Sequence, residues 1–320
     1  METKRNTMIE NPEEIVDQNL LTDENGRWIQ TDPGDSTWGQ LIFPSFAESQ
    51  NKTNDGLRVV IFGSYLLGYL LTETLREFER QHPSRLNMVG LVTDDPASPA
   101  AKISVKRRIW RKYDQQETIH LETAMIEAGL KSGVPVYTGA VKTEYFRSLL
   151  NLWNPDVILV CVFGQIIDEP IINYPNLGIY NFHPADLLAG HGAGPQPFQD
   201  LIDRQANTSK VTVHQLTIDL DSGPVLGQSP SVNVRFADGS MTDNVLVLDD
   251  KMLQPIDVMG ALLIKTLILH KEAGMKGAIH KLDFARHFNQ EIRDWLMKPI
   301  ALTTPSQSLP EPSAYVDYQL

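Results

Sequence analysis

The sequence predicts an α/β fold: a doubly wound, mostly parallel sheet with an irregular N-terminal extension and a short C-terminal tail. Three observations carry this. Short continuous apolar runs alternate with segments of helical period, and each run stops at a glycine or a turn residue. The chain of 320 residues is 42% hydrophobic and 21% charged, ample for a large buried core. Alternating strands and helices of this kind wind into a parallel sheet through right-handed crossovers.

Residues 1–56 form the extension. They hold 4 basic and 11 acidic residues, a net charge of −7 out of −12 for the whole chain. Trp28, Trp38, Phe43 and Phe46 indicate that part of it docks on a neighbouring surface. Residues 57–274 read as the main domain. Residues 58–62 are apolar enough for a strand buried on both faces, ending in Gly63, and Leu66, Leu67, Leu70, Leu71, Leu75 and Phe78 then recur at helical spacing. Strands follow at residues 87–92, 134–137 and 156–160, with helices over about 121–131 and 144–153 between them. One more helix, over about 256–273, precedes a Pro-rich C-terminal extension, residues 275–320.

Composition narrows the function classes. With 28 Lys+Arg against 40 Asp+Glu, the chain repels bulk nucleic acid unless a local basic patch intervenes. Such a segment exists: Lys102, Lys106, Arg107, Arg108, Arg111 and Lys112 lie among Trp110 and Tyr113. It reads as a solvated helix face or as a holder of a phosphorylated ligand. Cys161 is the single cysteine, so an internal disulfide framework and a multi-cysteine metal site are both excluded. The N-terminus lacks the apolar core of a signal peptide, and the greasy stretch 258–269 is short and broken by Lys265. The expectation is a cytoplasmic protein that does not enter membranes.

The turn after the first strand runs Gly63-Ser64-Tyr65-Leu66-Leu67-Gly68, which is neither G-x-G-x-x-G nor a P-loop, so a nicotinamide enzyme is disfavoured. The chemistry concentrates further on. In Asn181-Phe182-His183-Pro184 the two polar side chains share one face of an extended strand, at the sheet end where such folds bind ligands. A strand at residues 211–214 and the acidic turn Ile218-Asp219-Leu220-Asp221-Ser222-Gly223-Pro224 can bring a carboxylate to the same place. On residue type alone, a structural histidine and an ordinary turn explain the same letters.

The order of the motifs points beyond that. Asn181 to Pro184, Leu187-Leu188, Gly192-Ala193 with Pro195, Thr212-Val213-His214 and Leu220-Asp221-Ser222-Gly223-Pro224-Val225 follow Pro155-Asp156-Val157, Phe163-Gly164-Gln165-Ile166-Ile167 and Tyr174-Pro175-Asn176-Leu177-Gly178. Together, over residues 58–273, they resemble the formyltransferase family that uses 10-formyltetrahydrofolate. The resemblance implies a Rossmann-like formyltransferase-type sheet and a catalytic trio of Asn181, His183 and Asp221, with Asp219 the nearby competitor. It implies a folate pocket along Phe163, Gly164, Gln165, Ile166, Ile167, Ile218, Asp219, Leu220 and Gly223, with no metal. In that chemistry an amine attacks the formyl carbon while Asn181 and a protonated His183 stabilise the oxyanion. Asp221 favours the imidazolium and relays the amine proton.

Two features depart from the family pattern. No proline follows the paired leucines in Leu187-Leu188-Ala189-Gly190-His191, and Gly63-Ser64-Tyr65-Leu66 does not match the glycine-rich phosphate loop of the glycinamide ribonucleotide enzymes. The implied acceptor is a small-molecule primary amine, including a phosphorylated or nucleotide-linked amino sugar. The alternative is the charged tRNA of methionyl-tRNA formyltransferases, for which about 47 residues beyond the last helix are short of a C-terminal barrel. A catalytically silent binding protein of the same fold is the third reading, and a homodimer is expected by analogy.

Overall fold

Within the irregular N-terminal extension, the described residues include short regular elements. In the computed structural model, which describes residues 20–34, 39–50, 52, 54–94 and 123–288, it forms β1 (Leu20–Thr22), β2 (Trp28–Thr31) and β3 (Gln40–Ile42), an antiparallel meander, followed by the short helix α1 (Phe46–Ser49). These strands are only three or four residues long, so no buried apolar run announces them. The basic segment 102–113 and Trp38 lie outside the described residues.

The apolar runs become β4 (Leu57–Gly63), β5 (Leu86–Thr93), β6 (Val136–Thr138), β7 (Val157–Cys161) and β8 (Ile179–His183), connected through α2 (Tyr65–Gln81), α3 (Ala124–Lys131), α4 (Glu144–Trp153) and α5 (Glu169–Ile172). Past β8 come α6 (Pro197–Asp203), β9 (Thr208–Ser209), β10 (Thr212–Gln215), β11 (Val225–Gln228), β12 (Val232–Asn233) and α7 (Val245–Glu272). Among the described residues the main sheet has ten strands in the order β1-β2-β3-β6-β5-β4-β7-β8-β10-β11. The five from β6 to β8 are parallel, and antiparallel pairs extend the sheet on both sides.

The parallel strands read as unbroken apolar runs because both their faces are covered. On β4, Val59 and Ile61 join the core under α2, α3 and α7, while Val60 and Phe62 join the core under α4. α7 begins eleven residues before the sequence-based start at 256, passing through Pro255. A proline inside a helix costs a hydrogen bond and a steric clash. Here Leu248 and Met252, fully buried ahead of it, anchor the first turns against the core. At this length α7 is apolar enough to cross a membrane by composition, and 78% of its most apolar window is buried inside the protein. Beyond α7 the chain still packs on the sheet: the Ile279 amide donates to Tyr180 Oη at 2.7 Å and the Leu282 amide to the Leu226 carbonyl at 2.9 Å.

The N-terminal strands are held by more than backbone pairing. Arg27, 5% exposed, forks onto two carboxylates. Its Nη1 donates to Glu127 Oε1 at 2.6 Å, and its Nη2 donates to Glu48 Oε1 at 2.7 Å. The pairing ties the β1–β2 turn to α1 and α3 at once. Through it, Glu48 is pulled down to about 2, against the opposing effect of burial. Buried Asp32 adds a second tie, accepting from Tyr137 Oη at 2.7 Å and from Thr143 Oγ1 at 2.8 Å, the residue that caps α4. Replacing Arg27 by Met leaves two carboxylates facing each other, and urea denaturation should record a loss of about 2–3 kcal/mol. An unchanged midpoint would mean that strand pairing alone holds the extension.

Candidate functional site

Parallel strands deliver their carboxyl ends to one edge, and a cavity of about 760 Å³ opens there beyond β7 and β8. On β8 the two-residue period puts Asn181 and His183 on the side of Ile179, while Tyr180 and Phe182 enter the opposite core. β10 pairs antiparallel with β8 and sets His214 opposite Asn181 and Thr212 opposite His183. Asp221 arrives from the turn between β10 and β11 in a left-handed conformation, φ 49°, which Asp tolerates better than most residues.

These four side chains meet around one carboxylate. Asn181 Nδ2 lies 3.5 Å from Asp221 Oδ1 and 3.1 Å from His214 Nε2. His214 Nε2 is 3.5 Å from Asp221 Oδ1, and His183 Nδ1 is 3.9 Å from Asp221 Oδ2. The remaining lone pairs of Asp221 Oδ2 take the Gly194 amide at 2.7 Å. His183 Nε2 sits 2.6 Å from the Gly192 carbonyl, which only accepts, so this nitrogen carries the proton. The loop that supplies Gly192 and Gly194 turns through left-handed glycines, φ 65° and 96°, and so presents successive backbone groups to the site.

The protonation state differs from the sequence-based picture. Burial is the largest influence on His183 and lowers its pKa, and the opposing pull of Asp221 is too weak to reverse it. The resting imidazole is neutral. Burial acts on Asp221 in the raising direction, but its contacts with His214, His183 and the Gly194 amide outweigh that and hold the carboxyl below its usual range.

The loop residues expected to line a ligand pocket divide in two. Phe163, Gly164, Gln165, Ile166 and Ile167 border the cavity, as do Ile218 and Leu220. Asp219 and Gly223 stand outside that lining. The Asp219 carbonyl closes the turn by accepting from Thr217 Oγ1 and Ser222 Oγ at 3.1 and 3.0 Å. Gly223 packs on β10, where an added Cβ would fall 1.8 Å from the Gln215 carbonyl oxygen. The Phe163 loop is entered through Val162, whose φ of 52° is exceptional for a β-branched residue and turns the chain over the cavity. Gln165 braces it, accepting from the Val141 amide at 3.1 Å and donating to the Gly139 carbonyl at 2.8 Å.

Three side chains were not assigned to the site by the sequence reading. His214, fully buried, spans Asn181 and Asp221, while Asp249 of α7 and Lys142 border the cavity. The Thr212-Val213-His214 motif was visible, but its register against β8 was not. Among the described residues no cluster of His, Cys, Asp and Glu is arranged to hold a metal ion.

The family model described as formyl transferase matches residues 90–253. The methionyl-tRNA formyltransferase of Thermotoga maritima is 35% identical over 147 residues, covering 43% of this chain and 39% of that protein. The methionyl-tRNA formyltransferase of Ectopseudomonas mendocina is 30% identical over 189 residues, covering 56% and 60%. The chain thus spans less than two thirds of either relative. Among solved structures, the phosphoribosylglycinamide formyltransferase of Anaplasma phagocytophilum aligns over 68% of this chain and 87% of that one, with 17% identity and a TM-score of 0.48.

The neutral His183 has a consequence for stability. Its folded pKa lies below the ordinary 6.5, so the unfolded chain binds more protons as the pH falls through that value, and folding weakens. Asp221 acts lower: its folded pKa lies below 3.8, so its contribution persists above that value and is lost as the pH falls through the folded pKa. Between about pH 7.5 and about pH 5.5, the wild type should lose more denaturation free energy than His183→Gln. Equal slopes in urea titrations would place the pH sensitivity elsewhere.

Proposed function

The chain belongs to the formyl transferase family, and from that premise we propose that it transfers a formyl group from 10-formyltetrahydrofolate to a primary amine. The observation that carries this reading is the meeting of Asn181, His183 and Asp221 at one end of the cavity. The cavity volume of about 760 Å³ and its apolar borders, among them Phe163, Ile166, Ile167 and Leu216, fit a flat heteroaromatic ring. Exposed backbone of the Phe163 and Ile218 loops would meet the ring's polar edge. When bound, the donor supplies an activated formyl carbon whose oxygen becomes negative as the amine attacks.

The protein's residues then divide the work. Asn181 has two amide protons, and the contact to Asp221 at 3.5 Å is long enough to be given up for a developing oxyanion. His183, neutral and already donating from Nε2 to Gly192, has Nδ1 free of a proton. Nδ1 can therefore receive a proton released by the amine, Asp221 at 3.9 Å stabilises the imidazolium so formed, and the imidazolium returns that proton to the donor's nitrogen as its bond to the formyl carbon breaks, leaving tetrahydrofolate and the formylated amine. His214 keeps Asn181 and Asp221 in register.

For the acceptor, the names of the relatives support the α-amine of methionyl-tRNA over an amino sugar. The net charge of −12 favours a small amine as the second reading.

Incubation with 10-formyltetrahydrofolate and methionyl-tRNA should yield formylmethionyl-tRNA. Asn181→Ala and His183→Ala should each lower kcat by about 10²–10³-fold, while a stable folate analogue still binds in calorimetric titration. Full turnover by His183→Ala would discard the mechanism. Formylation of an amino sugar without formylation of methionyl-tRNA would select the second acceptor.

A further inference from the structure

His214 differs from the other side chains gathered at Asp221. It is fully buried and stands outside the cavity lining, whereas Asn181, His183 and Asp221 all border the cavity. What it contributes to a reaction there has to pass through a neighbour. Its two ring nitrogens face different partners. Nδ1 lies 3.0 Å from the Gln215 carbonyl oxygen, which only accepts, so Nδ1 carries a proton. In the uncharged ring Nε2 is then an acceptor, and it lies 3.1 Å from Asn181 Nδ2. The Asn181 amide has two hydrogens and two acceptors before it: His214 Nε2 and, farther off at 3.5 Å, Asp221 Oδ1.

The sense of that amide decides what the site offers. Turned half way round its last bond, an asparagine keeps nearly the same shape but exchanges its nitrogen for its oxygen. An oxygen in that place would repel a developing oxyanion, whereas an N–H stabilises it. The shorter contact, to His214, anchors one amide hydrogen, and the longer one leaves the second available. The strands aim the imidazole for this. β10 sets His214 directly opposite Asn181, and its ladder with β11 shifts register between Val213 and His214. Irregularities of that kind re-aim side chains beside active sites.

We propose that His214 is a positioning residue that fixes the sense of the Asn181 amide, nitrogen toward His214 and Asp221, so that one N–H is left for the formyl oxygen. The imidazole does this as an acceptor, a state imposed by the Gln215 carbonyl on its other nitrogen. The consequence for turnover rests on the formyl-transfer reading, but the hydrogen-bonding state of His214 is measurable without substrate.

The test joins nitrogen NMR to kinetics on the full chain. With the histidine ring nitrogens labelled, the His214 signals, identified by their loss in His214→Gln, should show a protonated Nδ1 and an unprotonated Nε2 near neutral pH. In formylation of methionyl-tRNA, His214→Leu or His214→Met, whichever melts like the wild type, should lower kcat about tenfold and leave the KM for 10-formyltetrahydrofolate within about twofold. His214→Gln carries an acceptor at nearly the reach of Nε2 and should recover most of that loss. On an Asn181→Ala background the apolar substitution should cost nothing further, because the two residues act as one unit. A protonated Nε2 overturns the proposal whatever the kinetics. So does an apolar variant with the wild-type kcat, a Gln variant no faster than the apolar one, or the same loss on the Asn181→Ala background, which marks a general packing role. If the NMR is as expected and the wild type formylates no amine, the fault lies in the functional reading and not in the assignment of His214.

Discussion

A buried carboxylate has to collect donors or lose its charge, and the site is organised around how Asp221 meets that demand. Its two oxygens draw on groups from β8, from β10 and from the glycine loop ahead of α6. Asn181 of β8 and His214 of β10 are 33 residues apart in sequence. The sheet supplies them: β8 and β10 are neighbours, and the turn into β11 folds back over their ends. The left-handed backbone at Asp221 is the local cost of aiming its side chain inward rather than toward solvent. Without that convergence, Asn181 and His183 would be polar residues at the end of a buried strand.

Much of this order was legible because it depends on short-range chemistry. Residues 156–160 read as a buried strand, and β7 runs Val157–Cys161, while the parity of Asn181 and His183 follows from the strand period alone. The helix at residues 144–153 was bounded correctly because Thr143 is a capping residue and Asn154 can take the left-handed stop. What escaped was set by distant partners. The pairing of His214 with Asn181 is a register between strands more than thirty residues apart. The ionisation of His183 is a contest between burial and one carboxylate, and only the packed structure shows that burial wins. The expected helix start at about 256 falls just after Pro255, whereas the helix runs through that proline above the core beneath α7.

The N-terminal strands illustrate the same limit. Their composition is that of a solvated arm, with exposed Trp28 and Phe46 and an excess of acid. Yet β3 pairs with β6 in register from Gln40 to Ile42, and Arg27 and Asp32 lock the meander onto three helices. Acidic residues in this stretch are partly structural counter-charges, so net charge overstated how much of it faces water.

The family match begins at residue 90, inside β5. β4, the strand between β5 and β7, and α2, which packs against both α7 and α3, precede that point. A fragment cut at the family boundary would therefore lose the middle of its own sheet and the helix that covers it, leaving β5 and β7 with raw edges prone to pairing with other chains. The unit of inheritance recognised by similarity and the unit that can fold are different lengths of this polypeptide, and gene fusion, domain grafting or directed evolution of this site has to carry the longer one.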